Sequence, residues 1–112
     1  MFEIATASKS NVPILRVDGK IIGTTVNALK REINTQIEHG EGRLILDLAK
    51  VPLLDSSALG TIIATLQTLK KKNGKLVILA PQKAVMNVLK VTRLNTVLEI
   101  YDDEPSAVNA FG

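Results

Sequence analysis

Apolar positions along the chain fall into short runs of period two separated by longer runs of period near 3.6. Residues 3–9 (Glu-Ile-Ala-Thr-Ala-Ser-Lys) alternate weakly, as a half-buried edge strand does. Residues 12–18 (Val-Pro-Ile-Leu-Arg-Val-Asp) predict a second strand, and Ser10-Asn11 a tight turn joining the two as an antiparallel hairpin. Pro13 suits a strand start or an edge. After Asp18-Gly19-Lys20 and Ile21-Ile22-Gly23, Thr24 or Thr25 caps a helix that runs to about His39. Its apolar stripe is Val26, Leu29, Ile33 and Ile37, and Gly40 and Gly42 end it. Arg43-Leu44-Ile45-Leu46-Asp47-Leu48 is apolar at four of six positions, which predicts a strand buried on both faces.

Residues 56–72 carry the strongest helical pattern, with Leu59, Ile62, Ile63, Leu66 and Leu69 assigned to the core. Lys70-Lys71-Lys72 suits its carboxyl end electrostatically, and Asn73-Gly74 stops it. Leu76 to Ala80 reads as a buried strand ended by Pro81. Residues 82–92 predict a shorter helix with Val85, Val88 and Leu89 inward. Val97 to Tyr101 predicts a last strand. Asp102 or Asp103, Glu104 and Pro105 start a final helix that reaches the C-terminus. The order β-β-α-β-α-β-α-β-α predicts one α/β domain over residues 1–112. Its sheet is mixed but mostly parallel, of about five strands, with about four helices. Function in such sheets gathers beyond the carboxyl ends of the strands.

Composition narrows the chemistry. There is no cysteine and one histidine, which removes thiolate chemistry and leaves little for imidazole catalysis or zinc. Three aromatic residues, Phe2, Tyr101 and Phe111, are too few for a base-stacking platform. The longest aliphatic run, Leu76 to Ala80, is far short of a membrane span, and no leader pattern opens the chain. The expectation is a small cytoplasmic protein that is not an enzyme, takes no cofactor or metal, and does not insert into a membrane. Net charge is +3 and unevenly spread. Residues 56–98 hold seven basic side chains and no acidic one, while residues 99–104 hold four acidic ones. The basic stretch reads first as solvated helix ends.

The most informative stretch is Val51-Pro52-Leu53-Leu54-Asp55-Ser56-Ser57-Ala58-Leu59-Gly60. Asp55 is placed to cap the helix, with Ser56 and Ser57 in its first turn. No charged residue occurs between Asp55 and Lys70. Ala58, Thr61, Thr65 and Thr68 recur at helical spacing, and the expectation is that they face away from the core. A stripe of small uncharged residues there suits the close approach of a partner.

The segment Leu46-Asp47-Leu48 … Leu54-Asp55-Ser56-Ser57-Ala58-Leu59-Gly60 resembles the phosphorylation segment of bacterial anti-sigma factor antagonists, which are single STAS domains. The resemblance extends over nearly the whole chain, including the Asp18-Gly19-Lys20-Ile21 turn. It implies a STAS-like fold and a partner switch. The unmodified antagonist binds an anti-sigma factor that is also a serine kinase. Phosphorylation of the Ser after the Asp, here Ser56, breaks the complex, and a PP2C-type phosphatase restores binding. Partner contacts are then expected from Asp55, Ser57, Ala58, Thr61, Thr65 and Thr68, with Ile22 and Thr24 from the neighbouring loop. Two departures stand out. Family members usually have Gly where Ala58 stands, which is expected to put one methyl on the contact face. Many have an acidic residue where Ile22 stands.

Two other readings remain open at this stage. One is a STAS subunit docking on a transporter or lipid-transport complex without phosphorylation. The other is a nucleic-acid-binding protein using residues 70–93, against which the shortage of aromatics and arginine weighs. The favoured reading expects no direct nucleic-acid contact and a monomer or weak dimer. A Ser56-His39-Asp47 triad fails on distance, since about 25 Å of strand separates His39 from Ser56 at ~3.3 Å per residue. Gly19-Lys20 and Gly74-Lys75 lack the spacing of a phosphate loop. Asp47 is expected to face solvent or to pair within the sheet.

Overall fold

The computed structural model describes residues 1–112. Its elements are β1 (Glu3–Lys9), β2 (Val12–Asp18), α1 (Val26–His39), β3 (Arg43–Lys50), α2 (Ser56–Lys71), β4 (Lys75–Leu79), α3 (Lys83–Val91), β5 (Glu99–Tyr101) and α4 (Glu104–Asn109). The strands form one sheet in the order β1-β2-β3-β4-β5. β1 runs antiparallel to β2, and the other neighbours are parallel. Ser10 and Asn11 both adopt left-handed backbone, as a two-residue hairpin turn requires.

The period-two alternation of the strands assigns side chains to two cores. Leu44, Leu46 and Leu48 of β3 join Leu15, Val17, Leu76 and Ile78 under α1, α2 and α3. Ile45 points the other way and packs with Val12, Ile14, Val77 and Leu79 against Ala107 of α4. That is why β3 reads as an almost unbroken apolar run: both of its faces are covered. Asp47 pairs within the sheet, at 3.0 Å from Arg16. Arg16 also reaches Glu104 at 2.8 Å and so ties β2 and β3 to the start of α4.

The amino ends of β3 and β4 approach unusually closely. Gly42 has φ +81°, and a Cβ on Gly74 would lie 1.9 Å from the Gly42 carbonyl oxygen. The Lys75 N–H donates to that same oxygen at 3.0 Å. Only glycine fits such a crossing.

Three sequence expectations about the elements need correction. The last helix ends at Asn109 and does not reach the C-terminus. Residues 97 and 98 are not strand. Arg93 takes a left-handed conformation after α3, and Leu94–Thr96 form a 3₁₀ turn. The N–H groups of Val97 and Leu98 both donate to the Leu94 carbonyl, so they are unavailable to the ladder, and β5 starts only at Glu99. Ile63 is not a core residue, being 37 % exposed. The inward stripe of α2 is Ala58, Thr61, Ile62, Thr65, Leu66 and Leu69. It takes in threonine methyl groups that a count of aliphatic residues passes over.

The C-terminal end is held by polar contacts. Lys75 pairs with Glu99 at 2.8 Å and donates to the Ala110 carbonyl at 2.9 Å. Its ion pair holds the Glu99 carboxyl below the ordinary carboxylate range. Asp103 caps α4, accepting from the Ser106 N–H at 2.8 Å and the Ser106 hydroxyl at 2.9 Å. Those bonds lower its pKa as well, the backbone donor most. No helix is long and apolar enough to cross a membrane.

Candidate functional site

Beyond the carboxyl ends of β2 and β3 the chain continues as two loops fastened edge to edge. The Gly19 N–H donates to Lys50 O (3.0 Å), the Ile21 N–H to Leu53 O (3.0 Å) and the Asp55 N–H to Ile21 O (3.2 Å). Ile21 and Leu54 form an isolated parallel bridge, and both are buried. The parallel pairing of β2 with β3 thus extends, past a bulge, up to Asp55, the residue before α2.

Asp55 is the junction. Its backbone is extended, and its Oδ1 accepts from the Ala58 N–H one turn on, at 3.0 Å. Its Oδ2 accepts from the Gly23 N–H at 2.9 Å. One carboxylate therefore caps α2 and clamps the loop before α1. Thr25 stiffens that loop: its hydroxyl accepts from the Ile22 N–H at 3.0 Å and donates to the Lys20 carbonyl at 2.7 Å. Thr25 so occupies the cap position of α1 without capping it through its side chain.

Ser56 and Ser57 follow, both exposed. Neither hydroxyl is bonded within the chain, and their backbone N–H groups have no acceptor there. The position of a Cβ on Gly23 would be 3.8 Å from Ser57 Oγ, so the Ile22–Thr24 loop stands directly beside Ser57. Ile22 is half-buried and Thr24 exposed. What this arrangement offers is an accessible primary hydroxyl at the positive end of a 16-residue helix, on a rim that cannot easily move.

The expected outward stripe of α2 is corrected by the structure. Ala58, Thr61 and Thr65 are buried, at 0 %, 6 % and 5 % exposure. The Thr61 hydroxyl donates to the Ser57 carbonyl at 3.0 Å, and that of Thr65 to the Thr61 carbonyl at 2.7 Å. With the hydroxyls satisfied inside the helix, the methyls are free to pack inward. Ala58 places its methyl in the core, not on a contact face. Of the four residues only Thr68 is exposed.

Ahead of Lys70 and Lys71 in its last turn, the surface of α2 is instead formed by Ser56, Ser57, Gly60, Ile63, Ala64, Gln67 and Thr68, all exposed and none charged. Leu53, 43 % exposed, borders it. Gly60 is unusual. A Cβ there would meet nothing within 4 Å, so no intramolecular contact explains a glycine in mid-helix. The sequence pattern did not place Leu53, Gly60 or Ile63 on this surface, and it assigned Ile63 to the core. Gly60 carried its own signal, since glycine inside a helix costs about 0.5–1 kcal/mol relative to alanine.

The STAS domain family model matches residues 3–107. The chain is 24% identical over 98 residues to the anti-sigma F factor antagonist of Paenibacillus polymyxa, covering 87% of this chain and 84% of that one. Among solved structures, an anti-sigma factor antagonist from Mycobacterium paratuberculosis superposes with a TM-score of 0.89 at 24% identity, over 98% of this chain and 93% of that one. The Bacillus cell fate determinant SpoIIAA, in its phosphorylated form, has the same fold, with a TM-score of 0.74 at 17% identity over the whole of both chains.

Proposed function

The chain belongs to the STAS domain family, and from that premise we propose that it is an anti-sigma factor antagonist whose binding is switched by phosphorylation of Ser56. In the unmodified state the uncharged surface of α2, bordered by Leu53 and the Ile22–Thr24 loop, docks on an anti-sigma factor. That partner is also a serine kinase. It transfers the γ-phosphoryl group of ATP to Ser56 Oγ, leaving ADP, and the complex separates. A PP2C-type phosphatase hydrolyses the phosphoserine and restores binding. In this cycle the chain is acted upon and performs no chemistry itself.

The observation that carries this reading is an exposed, unbonded hydroxyl at the head of a charge-free helix face. A phosphate adds about −1.5 to −2 charge. The unpaired N–H groups of Ser56 and Ser57 and the helix dipole tolerate that charge, so the fold survives it. A docked partner has to desolvate it, which costs several kcal/mol unless a cation is supplied. Asp55 next to it adds a second negative group. Gly60 supports the docking face independently: its missing side chain serves nothing inside the chain but lets another backbone approach. The existence of SpoIIAA in a phosphorylated form agrees with a fold that accepts the modification.

Incubation with a candidate anti-sigma factor kinase and ATP, followed by peptide mass spectrometry, tests the site. One phosphoryl group on Ser56 is expected, and none on the Ser56→Ala variant. Modification of Ser57 alone would overturn the assignment.

A further inference from the structure

We propose that β1 pairs through its free edge with β1 of a second copy of this chain, antiparallel about a two-fold axis at Thr6. This inference is independent of the reading of Ser56. β1 is a terminal strand of the sheet, seven residues long. Its register with β2 is unbroken from Glu3 opposite Asp18 to Lys9 opposite Val12. It contains no proline and no bulge, two of the devices that blunt an exposed edge, and its only charged side chains stand at its two ends. The opposite edge, β5, has only three residues.

The two charges of β1 lie at its two ends and are opposite in sign. Glu3 and Lys9 are both exposed, and neither enters an ion pair within the chain. With the axis at Thr6, Glu3 of each copy faces Lys9 of the other, and Ala5 faces Ala7. Parallel pairing would set like charges together, and any shift of the antiparallel register opens both ion pairs. Like charges directly opposite each other destabilise a pair of strands, and unlike charges stabilise it. Ala5 and Ala7 are small enough for the two sheets to continue flush. The product is a ten-stranded sheet whose two Ser56 sites lie at opposite ends, each open to its own partner. Edge pairing alone buries less than a standard stable interface, so the dimer is weak and forms with rising concentration.

The chain has no cysteine, which makes a site-specific test direct. Thr6 and Ser8 are both exposed, so Thr6→Cys and Ser8→Cys leave the fold intact, as circular dichroism would check. Residues opposite each other in an antiparallel pair have Cα atoms about 4.5–5.5 Å apart, within disulfide reach. The two Ser8 residues would lie about 13 Å apart along the strands. Under mild oxidation, Thr6→Cys is expected to form covalent dimers at least about tenfold faster than Ser8→Cys. Adding Lys9→Glu should slow this about tenfold, and adding Glu3→Lys as well should restore it. Equal rates for the two cysteine variants, or no response to the charge reversal, would overturn the proposal.

Discussion

Asp55 carries more of the site than its neighbours because its two carboxylate oxygens serve two elements, the first turn of α2 and the loop at Gly23. Asp55→Ala removes both acceptors. Loss of one cap costs about 1 kcal/mol, and the second bond adds a comparable amount, so a destabilisation of about 2 kcal/mol is expected in urea unfolding. Gly60→Ala separates folding from binding. It should stabilise the isolated chain by about 0.5–1 kcal/mol, since helix propensity rises and nothing is struck. If α2 docks as proposed, the same substitution weakens partner binding, which titration calorimetry would read. Asp55 as a cap was legible in the sequence, because an acidic residue directly before an apolar-periodic run has few other roles. The direction of Thr61 and Thr65 was not. A threonine reads as polar until its hydroxyl is known to be satisfied by the carbonyl one turn back, and only coordinates show that bond.

At the scale of elements, the order and nearly all the boundaries followed from periodicity and punctuation. β1 and β2 have their expected limits, and α1 and α2 end within a residue of theirs. The miss before β5 came from Val97, which has a β-forming side chain but a backbone held in a turn by Leu94. The helix α4 covers the second face of the sheet through a short contact and depends on polar fastening. Glu99 and Asp103 both have lowered pKa values in the folded chain. A carboxylate with a depressed folded pKa contributes stability that is complete above its unfolded pKa and is lost as pH falls through the folded one. The fastening of β5 and α4 should therefore weaken on acidification below the ordinary carboxylate range, about pH 4. Amide exchange at residues 106–110 should rise there before exchange in β3 does. Asp103→Asn should flatten that acid dependence by removing one of the two titrating groups.

On the scale of the whole molecule, the sheet separates the tasks. The packed faces lie under α1 to α3 and under α4, the proposed switch sits on the rim beyond β2 and β3, and the proposed self-pairing edge lies at β1. Because Ser56 is exposed and outside both cores, a charge placed there is expected to leave the fold alone, and in the proposed switch it changes what the chain binds. Ser56→Asp is accordingly expected to unfold at the same denaturant concentration as the unmodified chain. The most direct test of the switch is the affinity of Ser56→Ala and Ser56→Asp for the anti-sigma factor kinase, titrated under the same conditions. The account predicts that Ser56→Ala binds as the unmodified chain does, while Ser56→Asp binds on the order of a hundredfold more weakly, the cost of desolvating one unpaired charge. Equal affinities for two folded variants would contradict it.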